Sequence, residues 1–196
     1  MTMGTKQPRT IIFHKPYGVL PSFTDPEGRP TLAHYIRLPG VYAAGRLDLD
    51  SEGLMILTSD GALAHRITDP KEKLPKVYWV QVERVPDEDS LQQLRHGVLL
   101  GRTRTKPAQV RLLDREPSLP ARPVPIRFRK NVPTAWIELT LYEGMNRQVR
   151  RMTAAVGHPT LRLLRVSVGA VSLNDLQPGQ WRDLTREEVM GISQTV

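Results

Sequence analysis

The stretch AAGRLDLDSEGLMILTSDG, residues 43–61, contains a polar loop between two apolar segments. Two apolar segments, 41–44 and 54–58, have the residue types of strands, and the loop 45–53, bounded by glycines, joins them. A loop mounted on a sheet holds its side chains in fixed positions, as a reactive group requires. The run Arg-Leu-Asp that ends at Asp48 therefore makes this loop a candidate catalytic site. The loop carries two further carboxylates, Asp50 and Glu52.

Further strands and helices are predicted on both sides of this loop. Segments with alternating or continuous apolar residues predict strands at 10–13, 76–83, 108–113, 134–143, 161–168 and 171–173. Capping residues and glycine punctuation predict helices at 31–36, 59–67, 87–95, 146–156 and 185–192. Because the order shows no regular βαβ alternation, we expect an α+β fold with a central, mostly antiparallel mixed sheet flanked by helices.

The length and composition predict one soluble domain. With 196 residues, of which 39% are hydrophobic, the chain can bury a substantial core. We expect a flexible tail at 1–8 and a single catalytic domain at 9–193, without a separate N-terminal RNA-binding domain. No apolar run is long enough to span a bilayer, and the N-terminus lacks a signal-peptide pattern. We therefore expect a cytoplasmic protein, without membrane attachment and monomeric.

Metal and thiol chemistry are disfavoured by the residue types present. The chain has no cysteine, which excludes disulfides and thiol catalysis, and its five histidines show no spacing typical of metal ligands. We therefore expect no metal site and no cofactor. Carboxylates alone could still hold magnesium, so a metal-dependent nuclease that uses the loop acids Asp48, Asp50 and Glu52 stays open.

The charge distribution favours an anionic partner. The chain has 28 Lys and Arg against 20 Asp and Glu, a net charge of +8. Two stretches, 117–137 and 144–174, contain no acid at all, and such segregation predicts a phosphate-binding surface. We expect both stretches to line one basic face around the Asp48 pocket, with Arg129 and Lys130 contacting phosphates only.

The helix predicted at 146–156 concentrates three arginines near its N-terminus. Arg147, Arg150 and Arg151 are spaced i, i+3 and i+4, which places them on one helical face. Cations at a helix N-terminus are unfavourable unless an anion is close, because the helix dipole is already positive there. We therefore expect these arginines to face a carboxylate, a phosphate, or both.

Five motifs in the same order resemble those of the RsuA-like family of pseudouridine synthases, and they span almost the whole chain. They are KPYGVL (15–20), AAGRLDLDSEGLMILTSDG (43–61), KVYWVQV (76–82), EGMNRQVRRM (143–152) and LRLLRVSVG (161–169). The resemblance implies the pseudouridine synthase fold, with two lobes and an active-site cleft between them. It also implies isomerisation of a specific uridine, and the context of the first two motifs is most like members that act on large-subunit (23S) ribosomal RNA.

The resemblance implies roles for individual residues. Asp48 matches the catalytic aspartate, Tyr78 the tyrosine that stacks on the base, and Arg150 the basic residue paired with the aspartate. The base pocket is expected to include Arg46, Leu47 and Leu164. With the charge pattern, the predicted RNA-binding residues are Lys15, Arg129, Lys130, Arg147, Arg151, Arg162 and Arg165.

The expected chemistry needs no redox partner, because the reaction breaks the glycosidic bond, rotates the uracil and rejoins it through carbon. The target base must first be flipped out of its helix. The carboxylate of Asp48 could attack the sugar, attack the base or take a proton from the ribose, and these routes stay open. The alternative reading is a non-catalytic ribosomal-RNA-binding or assembly factor on the same fold.

Overall fold

The computed structural model of the chain describes residues 8–69, 71–72, 74–126 and 129–193. The tail predicted at 1–8 lies outside these residues except for Pro8. Among the described residues, no helix combines the length and the apolar character needed to cross a membrane.

Strands make up most of the regular structure. Their bounds are β1 Thr10–Lys15, β2 Tyr42–Ala43, β3 Glu52–Thr58, β4 Lys76–Glu83, β5 Leu99–Leu100, β6 Thr103–Arg104, β7 Gln109–Leu112, β8 Thr134–Leu141, β9 Thr160–Val168, β10 Val171–Ser172 and β11 Trp181–Asp183. The α-helices are α1 Gly61–Thr68, α2 Glu88–His96, α3 Gln148–Ala155 and α4 Arg186–Ser193, and a short 3₁₀ helix covers Leu32–His34. Asp60 and Asp87 cap α1 and α2 by accepting hydrogen bonds from the first backbone amides.

One nine-stranded sheet runs through the molecule in the order β11-β1-β3-β9-β4-β8-β7, with β2 added to β3 and β10 to β9. Its strand pairs are antiparallel except for β3 and β9, which run parallel. The predicted α+β fold with a mostly antiparallel mixed sheet is therefore confirmed.

The sheet opens into a fork between β3 and β9. The two strands pair at only two positions, Glu52 with Leu164 and Gly53 with Arg165. Gly53 has φ +105°, and a Cβ there would lie 2.3 Å from the carbonyl oxygen of Arg165, so only glycine permits this close crossing. The fork separates the sheet into two halves, and a cleft forms where they meet.

Hydrophobic residues pack on both faces of the sheet. One core cluster joins β1, β3, β4 and β8 to α2 and α3, with Phe13, Val80, Ile137, Leu94 and Met152 among its buried members. The other joins the remaining face of β1 and β3 to α1 and α4, through residues such as Ile12, Ile56, Leu63 and Ile192. Side chains therefore alternate between the clusters along a strand, as the pleat requires.

Four local features differ from the sequence-based expectation. The two-stranded hairpin β5–β6 and the edge strand β11 were not predicted, since both are too short to show a periodic pattern. The helix predicted from residue 146 begins at Gln148, because Arg147 adopts a left-handed conformation with φ +48°. The helix predicted at 31–36 is a single 3₁₀ turn.

Candidate active site

A cleft of about 640 Å³ lies at the fork and contains Asp48. The loop 44–49 forms one wall, and the turn 143–147 before α3 forms another. Tyr78 from β4 also lines it, as do Leu163 and Arg165 from β9. Leu20 of the first motif lines it too, so all five predicted motifs contribute residues to this one cavity.

Asp48 lies opposite Arg147. Arg147 Nη1 is 3.5 Å from Asp48 Oδ2, and the Asp48 side chain keeps about a third of its surface exposed, 33%, so it remains reachable from the cleft. Arg147 also forms a two-pronged pair with Asp50, with Nη1 and Nη2 donating to Oδ1 and Oδ2 at 2.9 and 2.8 Å. This pair lowers the pKa of Asp50 and raises that of Arg147.

Arg150 contacts Asp50 and not Asp48, which corrects the predicted pairing. Its Nη2 donates to the backbone carbonyl of Asp50 at 2.6 Å, and its Nε lies 3.3 Å from Asp50 Oδ2. That Nε approach satisfies the ion-pair distance without hydrogen-bond geometry. Burial lowers the pKa of Arg150, an effect that the charge of Asp50 opposes. Arg150 therefore holds the loop backbone, while Arg147 is the arginine that reaches Asp48.

The conformation of the turn 143–147 explains how Arg147 reaches both carboxylates. Arg147 caps α3 with φ +48° and ψ +36°, a region that residues other than glycine seldom adopt. Gln148 stabilises the turn, because its side chain accepts from the amide of Met145 at 3.0 Å and donates to Glu143 at 2.5 Å. The sequence carried no signal for the role of Glu143 and Gln148, since neither belongs to a recognised capping pattern.

Lys15 lies beneath the loop and is fully buried. Its Nζ donates to the carbonyls of Pro16, Val19 and Leu49, at 2.9, 2.7 and 3.4 Å. Burial lowers its pKa to about 8, partly countered by nearby carboxylates that include Asp48. The prediction that Lys15 contacts RNA is wrong in this structure, because the ammonium group faces the interior and fixes the loop.

The strand β4 sorts its side chains between the two faces of the sheet. Tyr78 lines the cleft and is 9% exposed, whereas Trp79 lines a groove on the opposite face, where its Nε1 donates to Glu138. On β9, Leu163 lines the cleft and Leu164 lines the opposite groove. Leu164 was predicted for the base pocket, but it does not line the cleft that contains Asp48, whereas its neighbour Leu163 does.

Two arginines of β9 form hydrogen bonds with groups inside the protein and do not extend into solvent. Arg162 forms a pair with the buried carboxylate of Glu52, with Nε and Nη2 donating at 3.0 and 2.8 Å. Arg165 is 5% exposed, lines the cleft, and donates from Nε to the carbonyl of Leu54 across the fork. The predicted phosphate contacts by Arg162 and Arg165 are thus replaced by internal ones.

Arg129 and Lys130 lie away from Asp48. They line a separate cavity of about 310 Å³ with Gln81 and Glu83, whose side chains leave β4 on the face opposite to Tyr78. Arg129 Nη1 lies 3.0 Å from Glu83 Oε1. The expectation that both acid-free stretches line one face around the Asp48 pocket is therefore wrong.

The remaining predicted residues lie near the cleft. Arg46 is exposed at its rim, and Leu47 is buried beneath it. Arg151 is exposed on α3 and points away from Asp48, with Nη2 3.5 Å from the carbonyl of Leu100. Sequence reasoning missed Ser51, whose buried hydroxyl lines the cleft without a hydrogen-bond partner among the described residues.

Arg147 contacts both Asp48 and Asp50 among the three loop carboxylates, whereas Glu52 pairs with Arg162. Asp50 and Glu52 are engaged by Arg147 and Arg162, and Asp48 stays the most available of the three. In the part of the chain that the structure describes, no group of three or more His, Asp or Glu side chains is arranged to hold a metal ion. This arrangement does not support the nuclease alternative, which requires the three acids to converge.

Comparisons with known proteins show the family of this chain. Residues 9–155 match the family described as RNA pseudouridylate synthase. The chain is 60% identical to a ribosomal large subunit pseudouridine synthase E of Xanthomonas campestris, over 88% of this chain and 93% of that one. It is 56% identical to the enzyme of the same name from Vibrio parahaemolyticus, over 90% and 74%.

A solved structure supports the same assignment. A crystal structure of a pseudouridylate synthase superimposes with a TM-score of 0.81 at 31% identity, covering 96% of this chain and 75% of the other. The cleft with Asp48, Tyr78 and Arg147 thus lies in a fold and a sequence context shared with these enzymes. The chain belongs to the RNA pseudouridylate synthase family.

Proposed function

We propose that this protein isomerises a specific uridine of large-subunit ribosomal RNA to pseudouridine, with Asp48 as the catalytic carboxylate. The observation that carries the proposal is the position of Asp48, which is partly exposed in the cleft and faces Arg147 at 3.5 Å. The names of the relatives with 54–60% identity support the choice of large-subunit RNA as substrate.

The reaction conserves every atom of the nucleotide. The bond between C1′ and N1 breaks, the uracil turns, and a bond forms between C1′ and C5, while C5 loses a proton and N1 gains one. The cleft volume of about 640 Å³ is sufficient for a flipped nucleotide. Tyr78 supplies an aromatic face for the uracil, and Arg147 places a positive charge 3.5 Å from Asp48 Oδ2.

The test is to map pseudouridine in ribosomal RNA from cells with and without the protein, and then to repeat the reaction with purified components. We expect one large-subunit site to lose its modification without the protein and to regain it with the wild type. Asp48→Asn should bind the same RNA and form no product, because it keeps the size of the side chain and loses its charge. A chain that binds the RNA but leaves every uridine unmodified would instead be a non-catalytic binding factor.

A further inference from the structure

The hairpin β5–β6 next to the cleft carries an excess of positive charge that the active-site chemistry does not use. No acid occurs between residues 90 and 113, whereas five arginines and lysines do. Two of them are neutralised, since Arg95 pairs with Glu88 and Arg111 with Glu138. The other three, at and just after the hairpin, are Arg102, Arg104 and Lys106.

These three cations keep their charge available to a ligand, although Arg104 Nη1 also donates to the carbonyl of Gly97. Arg102, Arg104 and Lys106 are all exposed, and no carboxylate of the described residues lies within ion-pair distance of them. Leu99 on the same hairpin is 57% exposed, and Arg151 of α3 is exposed beside it. We call this group the hairpin surface; its members are Leu99, Arg102, Arg104, Lys106 and Arg151.

The hairpin surface is fixed in position relative to the cleft. The backbone amide of Lys106 donates to the carboxylate of Glu143 at 2.8 Å, and Glu143 itself lines the cleft. On the other side, Arg151 Nη2 approaches the carbonyl of Leu100 at 3.5 Å. The free cations therefore flank the turn that carries Arg147.

The base of the hairpin is also rigid. Gly97 has φ +90°, and a Cβ there would lie 2.3 Å from the carbonyl oxygen of Thr105, so the chain crosses itself closely at this point. Thr105 exchanges hydrogen bonds with Val98, through its amide and its hydroxyl, both at 2.9 Å. The cations thus stand on a preformed platform, which lowers the entropy cost of binding.

We propose that the hairpin surface binds the phosphate backbone of the RNA strand that leads into the Asp48 cleft. The inference rests on the proposed function, because an RNA bound in the Asp48 cleft is the polyanion that would lie next to the hairpin surface. Uncompensated arginines and lysines on a preformed edge fit phosphates, and they position the strand without reading its bases. An exposed leucine among them can contact a sugar or a base. Lys15, Arg162 and Arg165 bond to groups within the protein, whereas the cations of the hairpin surface are exposed.

The test compares Arg102→Ala/Lys106→Ala with a charge-matched control, Arg115→Ala/Arg186→Ala. The hairpin pair leaves Arg104 in place, because its Nη1 donates to the carbonyl of Gly97 within the hairpin. The control residues are exposed and lie beyond β7 and on α4, away from the hairpin. Thermal unfolding should first show that both variants fold like the wild type.

Binding to a large-subunit rRNA fragment is then measured between low and moderate salt. The hairpin variant should flatten the slope of log affinity against log salt by roughly 1.4–1.8 units, the amount expected for two lost phosphate contacts. The control should keep the wild-type slope. Single-turnover rates at saturating enzyme should stay near wild type in both variants, because these residues lie outside the reacting site.

The outcomes separate this inference from the proposed function. Equal slopes for the hairpin variant and the control would overturn the inference, even if the wild type forms pseudouridine normally. A flattened slope with a wild type that forms no pseudouridine would keep the inference and overturn the proposed activity. The hairpin variant could instead lose its affinity for polyglutamate and keep the wild-type slope of log RNA affinity against log salt. In that case the hairpin surface would bind an acidic protein and not RNA, and the inference would be wrong.

Discussion

Arg147 Nη2 lies 2.8 Å from Asp50 Oδ2, although the two residues are 97 positions apart in the chain. The same guanidinium lies 3.5 Å from Asp48, so one arginine connects two carboxylates of the loop. Its left-handed backbone, φ +48°, makes this reach possible. Asp50 therefore orients Arg147, and Arg147 is the only described arginine within ion-pair distance of Asp48.

We expect Arg147→Ala to slow single-turnover pseudouridine formation, because Asp48 then loses its cationic partner in the cleft. Arg147→Lys should recover part of the rate, since the charge returns without the two-pronged geometry. Arg150→Ala should affect stability more than Arg147→Ala does, because Arg150 is the more buried of the two and holds the Asp50 carbonyl. Equal rates for Arg147→Ala and the wild type would show that Arg147 does not assist Asp48.

Asp50→Asn should reduce the rate far less than Asp48→Asn. Asp50 contacts Arg147 and Arg150 and does not line the cleft, so its charge acts by orienting these two arginines. The cost in the free energy of unfolding should be about 1 kcal/mol or less, because both side chains of the pair are about a third exposed or more. The measurement is a single-turnover assay with chemical denaturation of each variant. Complete inactivity of Asp50→Asn would assign it a direct catalytic role.

Tyr78→Ala should lose activity sharply, whereas Tyr78→Phe should keep the aromatic face and most of the RNA affinity. The loss of base stacking corresponds to roughly 1–3 kcal/mol. Trp79→Ala is the matched control, because Trp79 neighbours Tyr78 on β4 and lies on the opposite face of the sheet. The assay is single-turnover kinetics with RNA binding at equilibrium. If Tyr78→Ala and Trp79→Ala had the same rate, Tyr78 would not hold the base.

The sequence predicted the elements with strong patterns accurately. The alternation in KVYWVQVE predicts the observed bounds of β4, Lys76–Glu83. Asp87 as the N-terminal cap and Gly97 after the C-terminus predict both ends of α2 to within one residue. The loop between two strands is also present and carries Asp48 into the cleft, although β3 begins at Glu52, so the loop covers 44–51 and not the predicted 45–53. These features depend on local periodicity and capping, which a single sequence contains.

The residues that were misplaced depend on long-range geometry. Arg162 pairs with Glu52, which lies 110 positions earlier in the chain. A stretch without acidic residues in the sequence can therefore lie next to an acidic residue in the folded protein. The register of β9 shifts at two irregularities against β4, which changes the face of the residues beyond each shift. The left-handed turn at Arg147 gives no sequence signal, and it redirects the arginine that reaches Asp48.

Breaking the buried pair of Glu52 and Arg162 should be costly. Glu52→Gln leaves the Arg162 guanidinium buried without its carboxylate, with side chains 4% and 11% exposed, and should lower the free energy of unfolding by about 3–5 kcal/mol. The control is Glu138→Gln, which breaks the more exposed pair with Arg111 and should cost about 1 kcal/mol or less. Chemical denaturation measures both. Similar losses for the two variants would show that Arg162 finds another partner.

The last prediction concerns the pH dependence of stability that Lys15 introduces. Burial lowers its pKa in the folded protein to about 8, from an ordinary value of 10.5. Between these two values the unfolded chain binds more protons at Lys15 than the folded one, so this group makes stability rise with pH across that window. The rise is roughly 3 kcal/mol in total, from about 1.4 kcal/mol for each unit of pKa difference.

The measurement is the free energy of unfolding of the wild type and of Lys15→Met from pH 7 to 11. Subtracting the two profiles removes the contributions of all other titrating groups, and the wild type should gain on the variant as pH rises from about 8 to 10.5. Lys106→Met is the matched control, since Lys106 is exposed and its removal should leave the wild-type pH profile in place. A difference between the wild type and Lys15→Met that stays constant with pH would mean that the buried ammonium keeps its ordinary pKa. In that case the three carbonyls that surround Nζ would stabilise the charge as well as water does.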